Sequence, residues 1–308
     1  MKKTILINII IIFSFFIIFE LFLRAFNLSS LRGMTDSYFD NNINIEGKAF
    51  GVKFYTDQYG FRVPKKNYKY NKKNKNIILI GDSFVFGPGI KEEETFAGKF
   101  RKEMRNLNVF NSSRPGYNLN DYYNEIKFFL RNSNNNKFII FLNFDDFKSL
   151  QIEETKKEKN SVQNIRTIPG LSKINNFFRS KLYSYVWLVG VITDPEKRYY
   201  IDSLENFNED FAKSKILEIK NFIDNKENIT FLITPYSYQI RNNCKQTNFI
   251  LQNKIKNILV NNKINFYDFT KTFCNKSVNN NLFINFDPTH LSVYGHEIIF
   301  NFLEKKFN

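Results

Sequence analysis

A chain of 308 residues, 43% hydrophobic and 17% aromatic, can bury one sizeable core with insertions and leaves little room for two full domains. The formal net charge of +15 would suit an anionic polymer or a lipid surface. The lysines, however, are scattered among asparagines rather than clustered, which marks a compositional bias more than a functional patch, and no motif supports nucleic-acid binding.

Met1-Lys2-Lys3 precedes residues 4–23, apolar apart from Asn8, Ser14 and Glu20, a length that spans a bilayer core. The basic start favours a cytoplasmic N-terminus and an exported body. Arg24-Ala25-Phe26-Asn27 lacks the small-x-small pattern of a cleavage site, so residues 1–27 are expected to be an uncleaved signal anchor rather than a cleaved signal peptide. No cysteine follows the apolar run, which argues against a lipoprotein. Glu20 is costly in lipid but sits near the exit, where it can reach the interface.

Residues 28–75 are expected to be a juxtamembrane segment with a short strand at 49–55 and a polar, basic surface linker at 65–76. Residues 76–308 then alternate. Strands are expected at 76–80, 108–110, 138–142, 229–233 and 264–267, separated by helices at 95–106 (capped by Thr95), 120–131, 209–225 and 247–260, with a terminal helix from Val293. Strands divided by helices imply right-handed crossovers and a five-stranded parallel sheet covered on both faces. Residues 145–208 form an insertion with a charged run at 153–159. Its aromatic-rich piece at 177–187 is expected to be an amphipathic helix packed on the domain, with a membrane-facing or substrate-covering helix as the alternative.

Chemistry concentrates at two places. Ile77-Ile78-Leu79-Ile80 reads as a strand buried on both faces, and Gly81-Asp82-Ser83 breaks it just before a helical segment. A serine is thereby presented at the carboxyl end of a central strand, where open parallel sheets bind ligands. Alone, the stretch could equally be a turn that caps a helix. Near the C-terminus, Asp287-Pro288-Thr289-His290 holds one of the two histidines. Pro288 biases Asp287 to an extended backbone, and Ser292 is a good N-cap for the helix that follows. Asp287 and His290 would then share one tight turn, the carboxylate holding Nδ1–H and leaving Nε2 free. A serine hydroxyl needs such an imidazole to take its proton, so Ser83, His290 and Asp287 are the candidate nucleophile, base and orienting acid. His296 reads as a surface or edge residue, and the histidines and cysteines lack zinc-ligand spacing. No metal or cofactor is expected.

Together, Gly81-Asp82-Ser83 and Asp287-Pro288-Thr289-His290 resemble the SGNH, or GDSL, hydrolase superfamily, over roughly residues 77–308 with a long unmatched insertion. The resemblance implies an α/β, three-layer, flavodoxin-like fold and activity on ester bonds. Thr56-Asp57-Gln58-Tyr59-Gly60-Phe61-Arg62 looks like the "GFR" segment of membrane-anchored members associated with envelope polysaccharides. Asn111-Ser112-Ser113-Arg114-Pro115-Gly116 resembles the family's glycine block, nominating the Gly116 N–H beside that of Ser83 as oxyanion donors. Where the family has Gly-x-Asn-Asp, this chain has Asn143-Phe144-Asp145-Asp146. An ionised Asp145 would oppose the charge to be stabilised, which leaves a protonated Asp145, a substitute such as Asn143, or weak hydrolysis.

Export also bears on Cys244 and Cys274. If the strands before them are parallel neighbours, both sulfurs lie on the rim of the serine. A disulfide closing about 30 residues would then contribute about 3–4 kcal/mol, the alternative being two free buried thiols. The expectation is a single-pass bacterial membrane protein with its domain in the periplasm or outside the cell. It would act as an esterase or O-acyltransferase on an acylated carbohydrate or envelope glycan, with a membrane-bound acyltransferase as a candidate partner. The competing reading is a non-catalytic glycan-binding or assembly factor on the same fold.

Overall fold

The computed structural model describes residues 2–32, 42–133, 136–148, 169–223, 228–244, 249–277 and 281–307. The charged run at 153–159 lies outside them. An N-terminal helix, α1 (Lys2–Ala25), is followed by three short strands, β1 (Glu46–Ala49), β2 (Val52–Thr56) and β3 (Arg62–Val63). Five further strands carry the domain: β4 (Lys75–Ile80), β5 (Leu107–Asn111), β6 (Asn136–Leu142), β7 (Ile229–Ile233) and β8 (Phe266–Asp268). All eight form one sheet in the order β1-β2-β3-β5-β4-β6-β7-β8.

β4 to β8 are mutually parallel, as the alternation of strand and helix requires. Taken alone they run second, first, third, fourth, fifth, the flavodoxin-like order, so the chain reverses its direction of winding at β4. Side chains alternate across the sheet. Ile78 and Ile80 enter one layer with α4 (Leu119–Asn132), α8 (Glu209–Phe222) and α10 (Ile250–Asn261). Ile77 and Leu79 enter the other with α3 (Phe96–Glu103), α11 (Thr270–Lys276) and α12 (Val293–Phe307). Each such fully buried side chain contributes about 1.5–3 kcal/mol, which fixes β4 and whatever follows it.

Two expectations are corrected. The strand expected at 49–55 is a hairpin, because Phe50 and Gly51 both take positive φ (50° and 82°) and reverse the chain between β1 and β2. With β3, this hairpin extends the expected five strands to eight. The aromatic piece at 177–187 is not one helix. Leu182 is extended (φ −117°, ψ 119°) and separates α5 (Pro169–Lys181) from α6 (Tyr183–Thr193). A third insertion helix, α7 (Pro195–Glu205), follows. β7 and β8 are parallel neighbours, and a disulfide joins Cys244 to Cys274, whose Cα atoms are 5.7 Å apart.

Candidate active site

Ser83 is the first residue of a one-turn helix, α2 (Ser83–Phe86), at the carboxyl end of β4. Asp82 caps this turn, its carboxylate accepting from the Phe84 N–H at 2.9 Å. Gly87 ends it in the left-handed conformation (φ 74°), and a Cβ there would lie 3.2 Å from the His296 ring, so glycine alone fits without strain. The buried Arg62 holds the same turn from outside the parallel sheet. Its guanidinium donates to the carbonyls of Phe86 (2.5 Å), Gly87 (2.6 Å) and Ile90 (2.6 Å) and pairs with Glu92 at 3.0 Å. Arg101 also pairs with Glu92. The arginine of the "GFR" stretch thus meets the carbonyls at the end of the serine turn, where a cation is favoured.

Asp287 and His290 occupy one turn before α12. Asp287 Oδ1 accepts from the Thr289 and His290 N–H groups at 2.9 and 2.7 Å, and Oδ2 lies 2.8 Å from His290 Nδ1. Arg32 donates to the same Oδ2 and, at 2.8 Å, to the Asn285 carbonyl. Burial by itself would push the Asp287 carboxyl up, but His290 and Arg32 outweigh it and hold the group well below the usual carboxylate range. His290 Nε2 is buried and has no hydrogen-bond partner among the described residues. Phe50, at the tip of the β1–β2 hairpin, sets its ring edge-on to His290 at 5.2 Å and beneath the Arg32 guanidinium at 4.9 Å. The turn is pinned to the end of β7 by the Ser237 N–H, which donates to the Pro288 carbonyl at 2.8 Å. His290 is also near enough for its charge to favour the ionised form of Asp82, the residue before Ser83.

Three carboxyl groups cluster on the Asp82 side of Ser83: Asp82, Asp145 and Asp146, with one oxygen of each within 4.8 Å of the others. Asn143, at the end of β6, donates to Asp82 at 2.8 Å and accepts from the Thr234 hydroxyl at 3.0 Å. Its N–H donates to Asp146 at 2.7 Å. Asp145 accepts from the hydroxyls of Tyr199 on α7 (2.5 Å) and Tyr236 before α9 (Ser237–Ile240) (2.8 Å). Burial, then the charge of Asp145, pushes Asp82 up to about 7. Burial, then Asp82 and Asp145, pushes Asp146 well above the usual range. Hydrogen-bond donors from Asn143, Tyr199 and Tyr236 meet part of the negative charge of this cluster.

Of the expected oxyanion groups, Gly116 lies on an exposed turn after β5 with φ 85° and open space where a Cβ would be. Asn143 spends one amide hydrogen on Asp82, and Asp145 accepts where a donor is required. His296 is not at the surface as expected. It is fully buried, with Nδ1 accepting from the Phe96 N–H at 3.3 Å. Burial, then the charges of Arg62 and Lys99, lowers it to about 3. The helix that carries it packs on α3, and a neutral imidazole satisfies the first orphan N–H of that helix. Arg32, Phe50, Tyr199 and Tyr236 escape a reading of the sequence because no local motif surrounds them.

No protein-family model and no curated protein matches the sequence. Among solved structures, the chain is similar to a member of the lipolytic protein G-D-S-L family from Veillonella parvula, at 10% identity and a TM-score of 0.47, covering 76% of this chain and 98% of that one. It is similar to the lipase/acylhydrolase from Enterococcus faecalis at 11% identity and 0.47, covering 75% and 94%. A catalytic mutant of Axe2, an acetylxylan esterase from Geobacillus stearothermophilus, is similar at 13% identity and 0.42, covering 78% and 97%.

Proposed function

We propose that this protein is a membrane-anchored, extracytoplasmic serine esterase or O-acyltransferase of the SGNH type, acting on acyl esters of a carbohydrate or envelope glycan. The observation that carries the reading is the Asp287–His290 pair, whose Nδ1 is engaged at 2.8 Å while Nε2 is left without a partner among the described residues, on the rim where β4 delivers Ser83. Ser83 Oγ attacks the acyl carbonyl as His290 Nε2 takes its proton, and Asp287 orients the ring. The developing oxyanion is met by the N–H groups of Ser83 and Gly116. His290 returns the proton to the leaving alcohol, and water or a sugar hydroxyl then releases the acyl group, giving hydrolysis or transfer. No cofactor is invoked. Anchoring is supported by α1, in which an 18-residue stretch within Lys3–Ala25 has a mean hydropathy of 2.8 and no residue buried by the rest of the chain. The glycan is the substrate class suggested by the "GFR" resemblance.

One observation favours a second reading, a glycan-binding or assembly factor without turnover. Asp145, at the position where the resemblance calls for an amide donor, has both oxygens occupied by tyrosine hydroxyls. A serine-directed fluorophosphonate and a chromogenic acetyl ester separate the two. Labelling and turnover that vanish in Ser83→Ala support the enzyme, and neither across pH 5 to 9 supports the binder.

A further inference from the structure

The insertion helices α5 and α6 are built onto the end of α1. The Glu20 carboxylate of α1 accepts from the first N–H groups of α6, Tyr183 at 3.0 Å and Ser184 at 2.8 Å, and so serves as the cap that the residue before α6, Leu182, does not supply. Arg24 bonds Glu20 at 2.7 Å and the Lys181 carbonyl at 2.8 Å, and lies over the Tyr183 ring. Phe19 meets Trp187 edge to face at 5.4 Å. A helix rises about 1.5 Å per residue, so these contacts fall within about 9 Å of the end of α1.

The two faces of α6 differ in what they meet. Val186 and Gly190 face the domain, and Gly190 sits so close to the Phe286 ring that no methyl fits between them. Phe286 immediately precedes Asp287. On the other face Leu188, Val191 and Ile192 are exposed, Ile192 to 72%. On α5, Ile174, Phe177 and Phe178 form an exposed stripe at helical spacing, beside Lys173 and Lys181. Phe178 and Tyr185 hold the helices together with ring centroids 5.5 Å apart. An apolar stripe flanked by lysines, continuous with a span and at the depth of its end, has the character of an interfacial helix, which buries about 5–10 Å into the headgroup boundary.

We propose that α5 and α6 are a second, interfacial contact with the lipid bilayer that seats the Asp287–His290 turn at headgroup level. This rests on the reading of α1 as a membrane span. The occupant is lipid rather than a partner protein because the exposed apolar side chains of α5 and α6 are tied by Phe19, Glu20 and Arg24 to the end of α1, whose own apolar side chains are exposed.

The chain has one tryptophan, Trp187, so the full-length protein carries its own reporter. It is reconstituted in vesicles of phosphatidylcholine and phosphatidylglycerol, with and without acyl chains brominated at defined depths. The variant Trp187→Phe with Ile192→Trp moves the indole to the open face, and circular dichroism checks that it folds. We expect both proteins to float with the vesicles, and the indole at 192 to emit at shorter wavelength and lose more emission to shallow bromines than to deep ones. Flotation with an unquenched, water-exposed indole at 192 overturns the interfacial contact and leaves the anchor standing. An indole unquenched in pure lipid but shielded from acrylamide in native membranes overturns it in favour of a protein partner. Failure to float removes the span, and this proposal with it.

Discussion

Ser83 is held by the strand before it and by its own turn, with Arg62 of β3 bracing the end of that turn, whereas the Asp287–His290 turn is held by groups arriving from far along the chain. The serine turn follows a strand whose side chains are buried in both layers, and it is closed by its own Asp82 and Gly87. The imidazole turn depends on Arg32, 255 residues away, on Phe50 in the hairpin, on Ser237 after β7, and on α6 through Phe286. The first arrangement is a property of the core. The second is a convergence of four outlying segments, so it is the half expected to respond to trimming, salt and membrane context.

The largest effect that would break this contrast is loss of either half's reactive group. If Ser83 and His290 act as a unit, Ser83→Ala and His290→Ala each lower turnover of an acetyl ester by about 10⁶-fold, and the double variant loses little more. Stopped assays on the three proteins check this, and additive losses would speak against a shared step.

Next comes the support of the serine turn. Arg62→Ala leaves the buried Glu92 and three carbonyls short of their partner and should cost about 3–5 kcal/mol, read as a lower urea midpoint at unchanged slope. Arg32→Ala should cost less stability, because Asp287 keeps His290 Nδ1 and two backbone N–H groups as partners, while lowering kcat/KM by about 10²-fold through misplacement of the imidazole. Its acid limb should also move to higher pH, because the cation that opposed protonation of the Asp287–His290 pair is gone. Arg32→Lys should restore part of the loss. Equal loss of stability in both arginine variants would erase the distinction between the halves.

The last effect, absent at neutral pH and growing only on acidification, concerns His296. Its folded pKa of about 3 lies below the unfolded value of about 6.5. Between these limits the unfolded chain binds the extra proton, so this residue's contribution is full above the upper limit and falls by about 1.4 kcal/mol per pH unit on acidification. His296→Gln should flatten that part of the stability profile, measured by urea titration at pH 4, 5, 6 and 7.

How much was legible follows the same division. Ile77 to Ser83, the Thr95 cap and the Asp287–His290 turn were readable because each is a local pattern. Thr95 does accept from the Gly98 N–H at 3.0 Å, and Ser292 caps α12 through the Gly295 N–H at 3.1 Å. The hairpin was missed because Phe50-Gly51 lacks the Asn-Gly or Asp-Gly signature of a two-residue turn, so β1 and β2 merged into one apparent strand. The break in the insertion is not legible because the helix that restarts after Leu182 is capped by Glu20, 163 residues from Tyr183. The burial of His296 is not legible because a single polar residue on an apolar helix gives no sign of which neighbour will accept it. Tyr199 and Tyr236, which decide what Asp145 can do, come from an insertion helix and a loop without a motif.

Arg32 lies between α1 and β1, ahead of every strand of the sheet. A chimaera that grafts the sheet, from its first strand onward, onto a foreign leader would inherit serine, histidine and aspartate alike and still lack the guanidinium. A graft that looks conservative by its motifs would thus deliver the reacting side chains without the ion that sets their balance, so the short stretch between α1 and β1 has to travel with the sheet.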